Sequence, residues 1–388
     1  MGHEYADFTI YVVLYFLLLF LQQSLHCNAQ QPSDLLEQRS AEYASRRFPG
    51  CVAGERLHGG VNPESKSLDS RRIVSIGDVH GSLIGLHELL WTAGITERNS
   101  CQWHPDTASN GGVVLVQTGD IVDRGPNASE AWLCLKNLQS KAHEHNSQVI
   151  RLLGNHELWW LSGQISYRNK KTDTKEKVEA LINLMKEEII SGAVKGAHAM
   201  DTAEGLPLFF VHAGIRPQMM DHLRKSIPAL VKGGAKDESH VVAEYINTKL
   251  LEDVKRCTSA GARCPLDDLV YSAGPERGGS AVGGPYWTDF SVLEKAHAAE
   301  AAKEDPNFLP FVQVVGHTVE VNAVRSTRGL GAVCTDAGMM YGGRAFLTIE
   351  DSRFVSYSKE EKKRSTVTVS TIQKPKWNRR DLTELECT

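Results

Sequence analysis

From residue 72 to residue 317 the chain repeats one unit: a short apolar run, a glycine-bearing polar loop, and often an amphipathic stretch. Residues 73–76 lead into Gly77-Asp78-Val79-His80-Gly81, then into Leu83, Leu86, Leu89 and Leu90 at helical spacing. Residues 112–117 are a second apolar run, followed by a polar loop over 119–125 and a helix predicted over 130–138. Residues 149–153 end in Gly154-Asn155-His156-Glu157. Residues 208–211 run into His212-Ala213-Gly214, and residues 311–315 into Gly316-His317. A further helix with a solvated charged face is predicted over 172–190. Strand, loop and helix in alternation predict a layered α/β fold, with ligands gathered beyond the carboxyl ends of the strands.

The flanks differ in character. Residues 10–21 (IYVVLYFLLLFL) form an unbroken apolar run, too short for a bilayer span of about 20 residues. With Cys27-Asn28-Ala29 behind it, the run fits a secretory signal peptide over 1–29, although Glu4 and Asp7 precede it where Lys or Arg is usual. A retained membrane anchor is the rival reading. Residues 30–69 read as an irregular extension, 70–352 as the catalytic domain and 353–388 as a polar tail carrying a charge run over 359–364. The expected location is the secretory pathway or outside the cell, with membrane association only if the leader is retained.

Composition narrows the field. The 388 residues are 41% hydrophobic and carry 43 Lys+Arg against 47 Asp+Glu, a net charge of −4. That is ample core material, so a wholly disordered chain is excluded, and no basic footprint for nucleic acid is present. Eight Cys and fifteen His stand out. Cleavage after Ala29 would remove Cys27 and place the rest where disulfides persist. Cys257 and Cys264 would close a short loop, Cys51 and Cys101 are a second candidate pair, and Cys134 and Cys334 lie in apolar stretches as expected buried thiols. A sequon, Asn127-Ala128-Ser129, sits beside the second polar loop.

The five loops together supply Asp78, His80, Asp120, Asp123, Asn155, His156, His212 and His317. Carboxylate, imidazole and amide oxygen in one set suit Mn²⁺, Fe²⁺ or Zn²⁺ better than a thiolate-bound structural ion. The set is too large for one ion, and two ions sharing a carboxylate are the arrangement that activates water for attack on phosphorus. A lone histidine at a strand end would be an ordinary polar residue. Five such loops, each flanked by glycine, are not.

The blocks Gly77-Asp78-Val79-His80-Gly81, 119–125 (GDIVDRG) and Gly154-Asn155-His156-Glu157 resemble the three signature blocks of the calcineurin-like metallophosphoesterases, specifically the phosphoprotein phosphatase group. Val211-His212-Ala213-Gly214 and Val315-Gly316-His317 resemble the two later metal-binding blocks. The resemblance implies β-sheets sandwiched by helices and a dinuclear site. Asp78 and His80 would hold the first ion, Asp120 would bridge, and Asn155, His212 and His317 would hold the second. It also implies that His156 is the general acid, oriented by Asp123, and that Arg124 binds phosphate. The substrate implied is a phosphoprotein or phosphopeptide, serine/threonine by default. The resemblance names no regulatory subunit.

Departures matter as much. The Arg expected two residues before the third block is absent, with Arg151 one step earlier, and a Ser-Ala-Pro-Asn-Tyr loop is replaced by residues 335–343 (TDAGMMYGG). These variants resemble the bacterial-like Shewanella-like protein phosphatases. They leave tyrosine open and imply insensitivity to microcystin and okadaic acid, which contact the altered loop. A second phosphate-binding Arg is implied downstream of the fourth block. Asp289 stands where it is sought, so Arg216 and Arg277 become the candidates. The His-Ala-Gly block also resembles dinucleoside-tetraphosphate and cap-type pyrophosphohydrolases, for which the Trp159-Trp160 pair could stack a base.

Overall fold

The structure is a computed structural model of the chain. It describes residues 71–359 and 367–371, apart from 228–229, 231–237, 258, 260–261, 267, 304–308, 328–329 and 351. The expected leader, the N-terminal extension, Cys51 and most of the 359–364 charge run lie outside the described residues.

Two sheets carry the fold. The first joins β1 (Arg72–Ile76), β2 (Val113–Gln117), β3 (Gln148–Leu152) and β4 (Val194–Lys195) in parallel. β10 (Ala345–Glu350), β11 (Arg353–Lys359) and β12 (Val367–Thr371) extend it antiparallel from the β1 edge, giving the order β12-β11-β10-β1-β2-β3-β4. The second sheet has the order β5-β6-β7-β9-β8, from β5 (Ala197–Asp201), β6 (Pro207–Val211), β7 (Val312–Val315), β8 (Arg325–Ser326) and β9 (Ala332–Cys334). Its β6, β7 and β9 are mutually parallel.

Strand side chains alternate between two cores. Ile73, Val114, Val116, Ile150 and Leu152 of the first sheet meet Leu208, Phe210, Val312, Val314 and Val333 of the second in one apolar cluster. Their neighbours Val74, Val113, Leu115, Val149, Phe209, Val211 and Val315 face a separate cluster shared with the helices. Both faces of the central strands are therefore buried, which explains unbroken apolar runs rather than alternation. Flanking the sheets are α1 (Leu83–Thr92), α2 (Ala128–Lys141), α3 (Asn155–Leu161), α4 (Lys175–Ile190), α5 (Pro217–Ser226), α6 (Glu238–Lys255) and α7 (Phe290–Lys303). The expected layered α/β architecture, with sheets between helices, is present. No helix among the described residues is long and apolar enough to cross a membrane.

Two expectations change. The sheet runs on through β11 and β12, into residues expected to form a polar tail. β11 (RFVSYSK) alternates apolar and polar side chains, so its mean composition hides a strand. Cys101 bonds to Cys134 across 33 residues, not to Cys51, so Cys134 is no buried thiol. Cys257–Cys264 forms as expected, and Cys334 is a buried free thiol. Arg151 turns away from the strand-end loops. It is 1% exposed, hydrogen-bonds Gln139 and Glu188, and stands 5.3 Å from the Trp132 ring.

Candidate metal centre and active site

The loops beyond β1, β2, β3, β6 and β7 converge, and they do so through unusual backbone. His80, Asp120, Asp123, Arg124 and His317 all have φ between 46° and 69°, the left-handed region that costs an L-residue about 1–2 kcal/mol. The tight turns aim consecutive side chains inward. Room for them comes from glycine: a Cβ on Gly154 would lie 2.1 Å from Asp120 Oδ1, and one on Gly316 would lie 2.4 Å from Asp78 Oδ1.

Asp120 is the hub. Its Oδ2 lies 3.5 Å from His80 Nε2, 3.5 Å from His212 Nε2 and 3.9 Å from His156 Nε2. Asp78 Oδ2 is 3.8 Å from His80 Nε2, while its Oδ1 accepts the His317 amide at 2.9 Å. On the other side, His212 Nε2 faces Asn155 Oδ1 at 2.8 Å and His317 Nδ1 at 3.2 Å, and His317 Nδ1 is 3.0 Å from Asn155 Oδ1. Asp78, His80, Asp120, Asn155 and His212 are all buried. All six expected ligands are therefore brought together around one carboxylate.

The donor set fits divalent cations. His80 Nδ1 lies 2.8 Å from the Val122 carbonyl, and His212 Nδ1 lies 2.9 Å from that of Thr118. A carbonyl only accepts, so each Nδ1 holds the proton and each Nε2 presents its lone pair inward. His80 Nε2 is buried with no hydrogen-bond partner, an orphan that a cation would satisfy. The electrostatics agree. Burial, then the Asp336 and Asp120 carboxylates, push Asp78 well above the carboxylate range. Burial raises Asp336 to about 6. Burial drops His80 to about 3, and burial with the neighbouring His212 lowers His317 well below its usual value. Burial also opposes ionisation of Asp120, but the His212, His156 and His80 imidazoles outweigh it and hold that carboxyl low. Burial opposes a charge on His212 as well, but the Asp120 carboxylate outweighs it and raises that imidazole, so the carboxylate at the hub draws positive charge to itself.

His156 adjoins the cluster without being absorbed by it. Its Nδ1 pairs with Asp123 Oδ2 at 2.6 Å, and Asp123 Oδ1 accepts the Trp160 indole N–H at 2.6 Å. Asp123 is fully buried, so both its oxygens are fixed and the imidazole is oriented with Nε2 toward Asp120. Arg124 Nη2 lies 3.2 Å from that Nε2. Trp160, read as a base-stacking candidate, is thus a buried anchor. Trp159 instead stacks on Tyr167, with ring centroids 5.0 Å apart and planes 8° apart, and it also meets Trp287 at 5.0 Å. Both Trp159 and Tyr167 present an edge contact to His156.

Sequence reasoning missed Glu157. Its Oε1 accepts the Ile121 and Val122 amides and its Oε2 those of Asp120 and Gly154, at 2.7–2.9 Å. One buried carboxylate thus staples the second loop to the third. Asp336, quoted above only as a departure, lies buried beside Asp78. The structure does not bring Arg216 to the cluster: its guanidinium pairs with Glu276. Arg277 arrives instead, with Nη2 3.2 Å from His317 Nε2 and 2.5 Å from Asp289 Oδ1.

Residues 71–253 match the family described as calcineurin-like phosphoesterase. An uncharacterized protein of Schizosaccharomyces pombe is 35% identical over 106 residues, 27% of this chain and 31% of its own length. Shewanella-like protein phosphatase 2 of Arabidopsis thaliana is 26% identical over 303 residues, 70% of this chain and 72% of its own. The crystal structure of a cold-active protein-tyrosine phosphatase from a psychrophilic Shewanella species covers 83% of this chain and 90% of its own, with TM-score 0.49 and 19% identity. The chain thus spans under a third of the fission-yeast relative and nearly three quarters of the plant one. The loops after β1, β2, β3 and β6 all lie within the matched residues and converge on Asp120, so across the residues that build the site this chain is similar to the calcineurin-like phosphoesterases, a family that uses divalent metals.

Proposed function

We propose that the protein is a phosphoprotein phosphatase that hydrolyses phosphomonoesters by direct attack of water, with His156 protonating the leaving oxygen. The observation that carries this reading is the buried Trp160–Asp123–His156 chain, which points an imidazole at the Asp120-centred cluster. Two divalent ions (Mn²⁺, Fe²⁺ or Zn²⁺), held by Asp78, His80, Asp120, Asn155, His212 and His317, would supply an activated water and Lewis acidity at phosphorus. The chain's own residues supply the rest. Asp123 fixes the Nδ1 proton of His156, leaving Nε2 to deliver a proton to the departing oxygen. Arg124 and Arg277 stand on opposite sides of the cluster, against His156 and His317, where two guanidinium forks can bind phosphate oxygens. Because the nucleophile is water, no phosphoenzyme forms.

The likeness to a plant Shewanella-like protein phosphatase over 70% of this chain supports a protein substrate. Serine/threonine is the default of the resemblance, with tyrosine left open by the altered 335–343 loop. The test uses the full chain with Mn²⁺ on phosphoserine, phosphothreonine and phosphotyrosine peptides and on diadenosine tetraphosphate. Turnover of one or more peptides is expected, with His156→Ala slower by about 10²–10⁴-fold and still folded. Turnover of the dinucleotide alone would favour the pyrophosphohydrolase reading, and wild-type turnover by His156→Ala would remove the acid assignment. We also propose residence in the secretory pathway. The Cys101–Cys134 and Cys257–Cys264 disulfides support an oxidising compartment, and secreted protein beginning near Gln30 is the expected finding.

A further inference from the structure

The segment between α6 and α7 brings a cation to the metal cluster, and its support lies one residue away. Arg277 ends the single turn Pro275–Arg277. It reaches His317 and Asp289, and its guanidinium stands 5.9 Å from the Trp287 ring. Glu276, next to it, accepts both Nη groups of Arg216, at 2.7 and 2.8 Å. Arg216 follows His212 by four residues and is 5% exposed.

The Arg216 guanidinium occupies a slot made by glycine. A Cβ on Gly274 would fall 2.0 Å from its Nη1, and a Cβ on Gly283 would fall 3.0 Å from the same atom. Gly274 and Gly283 thus leave the room that the Arg216 guanidinium fills. A fork-to-fork Arg–carboxylate pair fixes orientation as well as distance. It joins the end of β6, which carries His212, to the turn that carries Arg277.

We propose that Arg216 and Glu276 are positioning residues: a clasp, anchored by the buried Arg216, that presents Arg277 to the phosphate group of the substrate. The proposal rests on the phosphoesterase reading for its ligand. The clasp acts in two ways. It sets the backbone of the turn, and it occupies the Glu276 carboxylate, which would otherwise be free to capture the neighbouring Arg277 guanidinium. Arg277 is left with Asp289 as its carboxylate partner, at a contact about two-fifths exposed, where a phosphate dianion can compete.

The test compares wild type, Glu276→Gln and Glu276→Asp as full chains. Binding of inorganic phosphate to the Mn²⁺-loaded protein is measured by calorimetry, and KM and kcat on p-nitrophenyl phosphate are measured separately. Glu276→Gln is expected to weaken phosphate binding and raise KM by roughly tenfold, the worth of one charge-assisted contact, with kcat changed much less. Glu276→Asp, which keeps the charge, is expected to recover most of the loss. A purely structural pair would instead lower the melting temperature and kcat without a selective change in phosphate affinity. Unchanged phosphate affinity in folded Glu276→Gln overturns the proposal. If Glu276→Gln fails to fold, Arg216→Lys carries the same comparison, because one ammonium cannot make the forked pair. Absence of turnover in wild type would count against the phosphoesterase reading, while the calorimetry would still decide the clasp.

Discussion

Arg124 illustrates how this site stores strain. Its φ of 64° lies where glycine is at ease and arginine is not, and the same turn holds Asp123 at 69°. Replacing Arg124 with Gly relieves backbone strain of about 1 kcal/mol while deleting the guanidinium beside His156. Arg124→Gly is therefore expected to match or exceed the wild-type melting temperature and to lose at least about tenfold in kcat/KM. A variant both less stable and fully active would contradict this. A second residue governs acid tolerance. Burial, then Lys195 and His240, lower His198 to about 3. The unfolded chain therefore binds a proton near pH 6.5 that the folded chain refuses, so stability falls as pH drops from 6.5 toward 3. Because His198 is only partly buried, the loss by pH 5 is about 1 kcal/mol. Melting temperatures at pH 7.5 and 5 should show it, and His198→Phe should shrink the difference.

Among the elements, the strand-end loops were legible and their cross-braces were not. Each central strand is buried on both faces, so β1, β2, β3, β6 and β7 stand out as apolar runs, and the polar loops after them declare their chemistry by composition. The two-residue strands β4 and β8 leave no such trace. β11 carries Arg, Ser and Lys between its apolar positions and reads as a tail. Helices α5, α6 and α7 lie in the long interval between the fourth and fifth loops, where no strand rhythm marks their boundaries. Glu157 was in plain view beside His156, yet its role depends on four amides from two loops that only folding assembles. That brace gives an element-scale prediction. Glu157→Gln leaves at least one inward-facing N–H without an acceptor, and should cost about 2–4 kcal/mol of stability. Thermal unfolding should show that loss together with weaker Mn²⁺ binding, because Asp120 and Asn155 are the residues it aligns. Intact stability would mean that the brace is dispensable. Arg216 shows the opposite case: its sequence position after the fourth block suggested a phosphate ligand, and a partner 60 residues downstream claimed it.

At the scale of the molecule, the Cys101–Cys134 disulfide ties the 95–104 segment to α2, the helix that leaves the Asp120–Arg124 loop. Closing a 33-residue loop in the unfolded chain is worth about 3–4 kcal/mol. Cys134→Ser paired with Cys101→Ser should lower the unfolding free energy in denaturant titrations by an amount of that order under non-reducing conditions, and no change would show that the unfolded chain gains little from release. The expected metal ligands come from both sheets. Asp78, His80, Asp120 and Asn155 hang from the first sheet, and His212 and His317 hang from the second. Between the sheets lies an apolar seam of aliphatic and phenyl side chains, held by attraction that has no preferred direction. The site at the rim of that seam then works as a rivet through two plates. A shear of an ångström along it would part His212 from Asp120 before either sheet was disturbed, so the chemistry of the cluster also gauges how well the two plates are aligned.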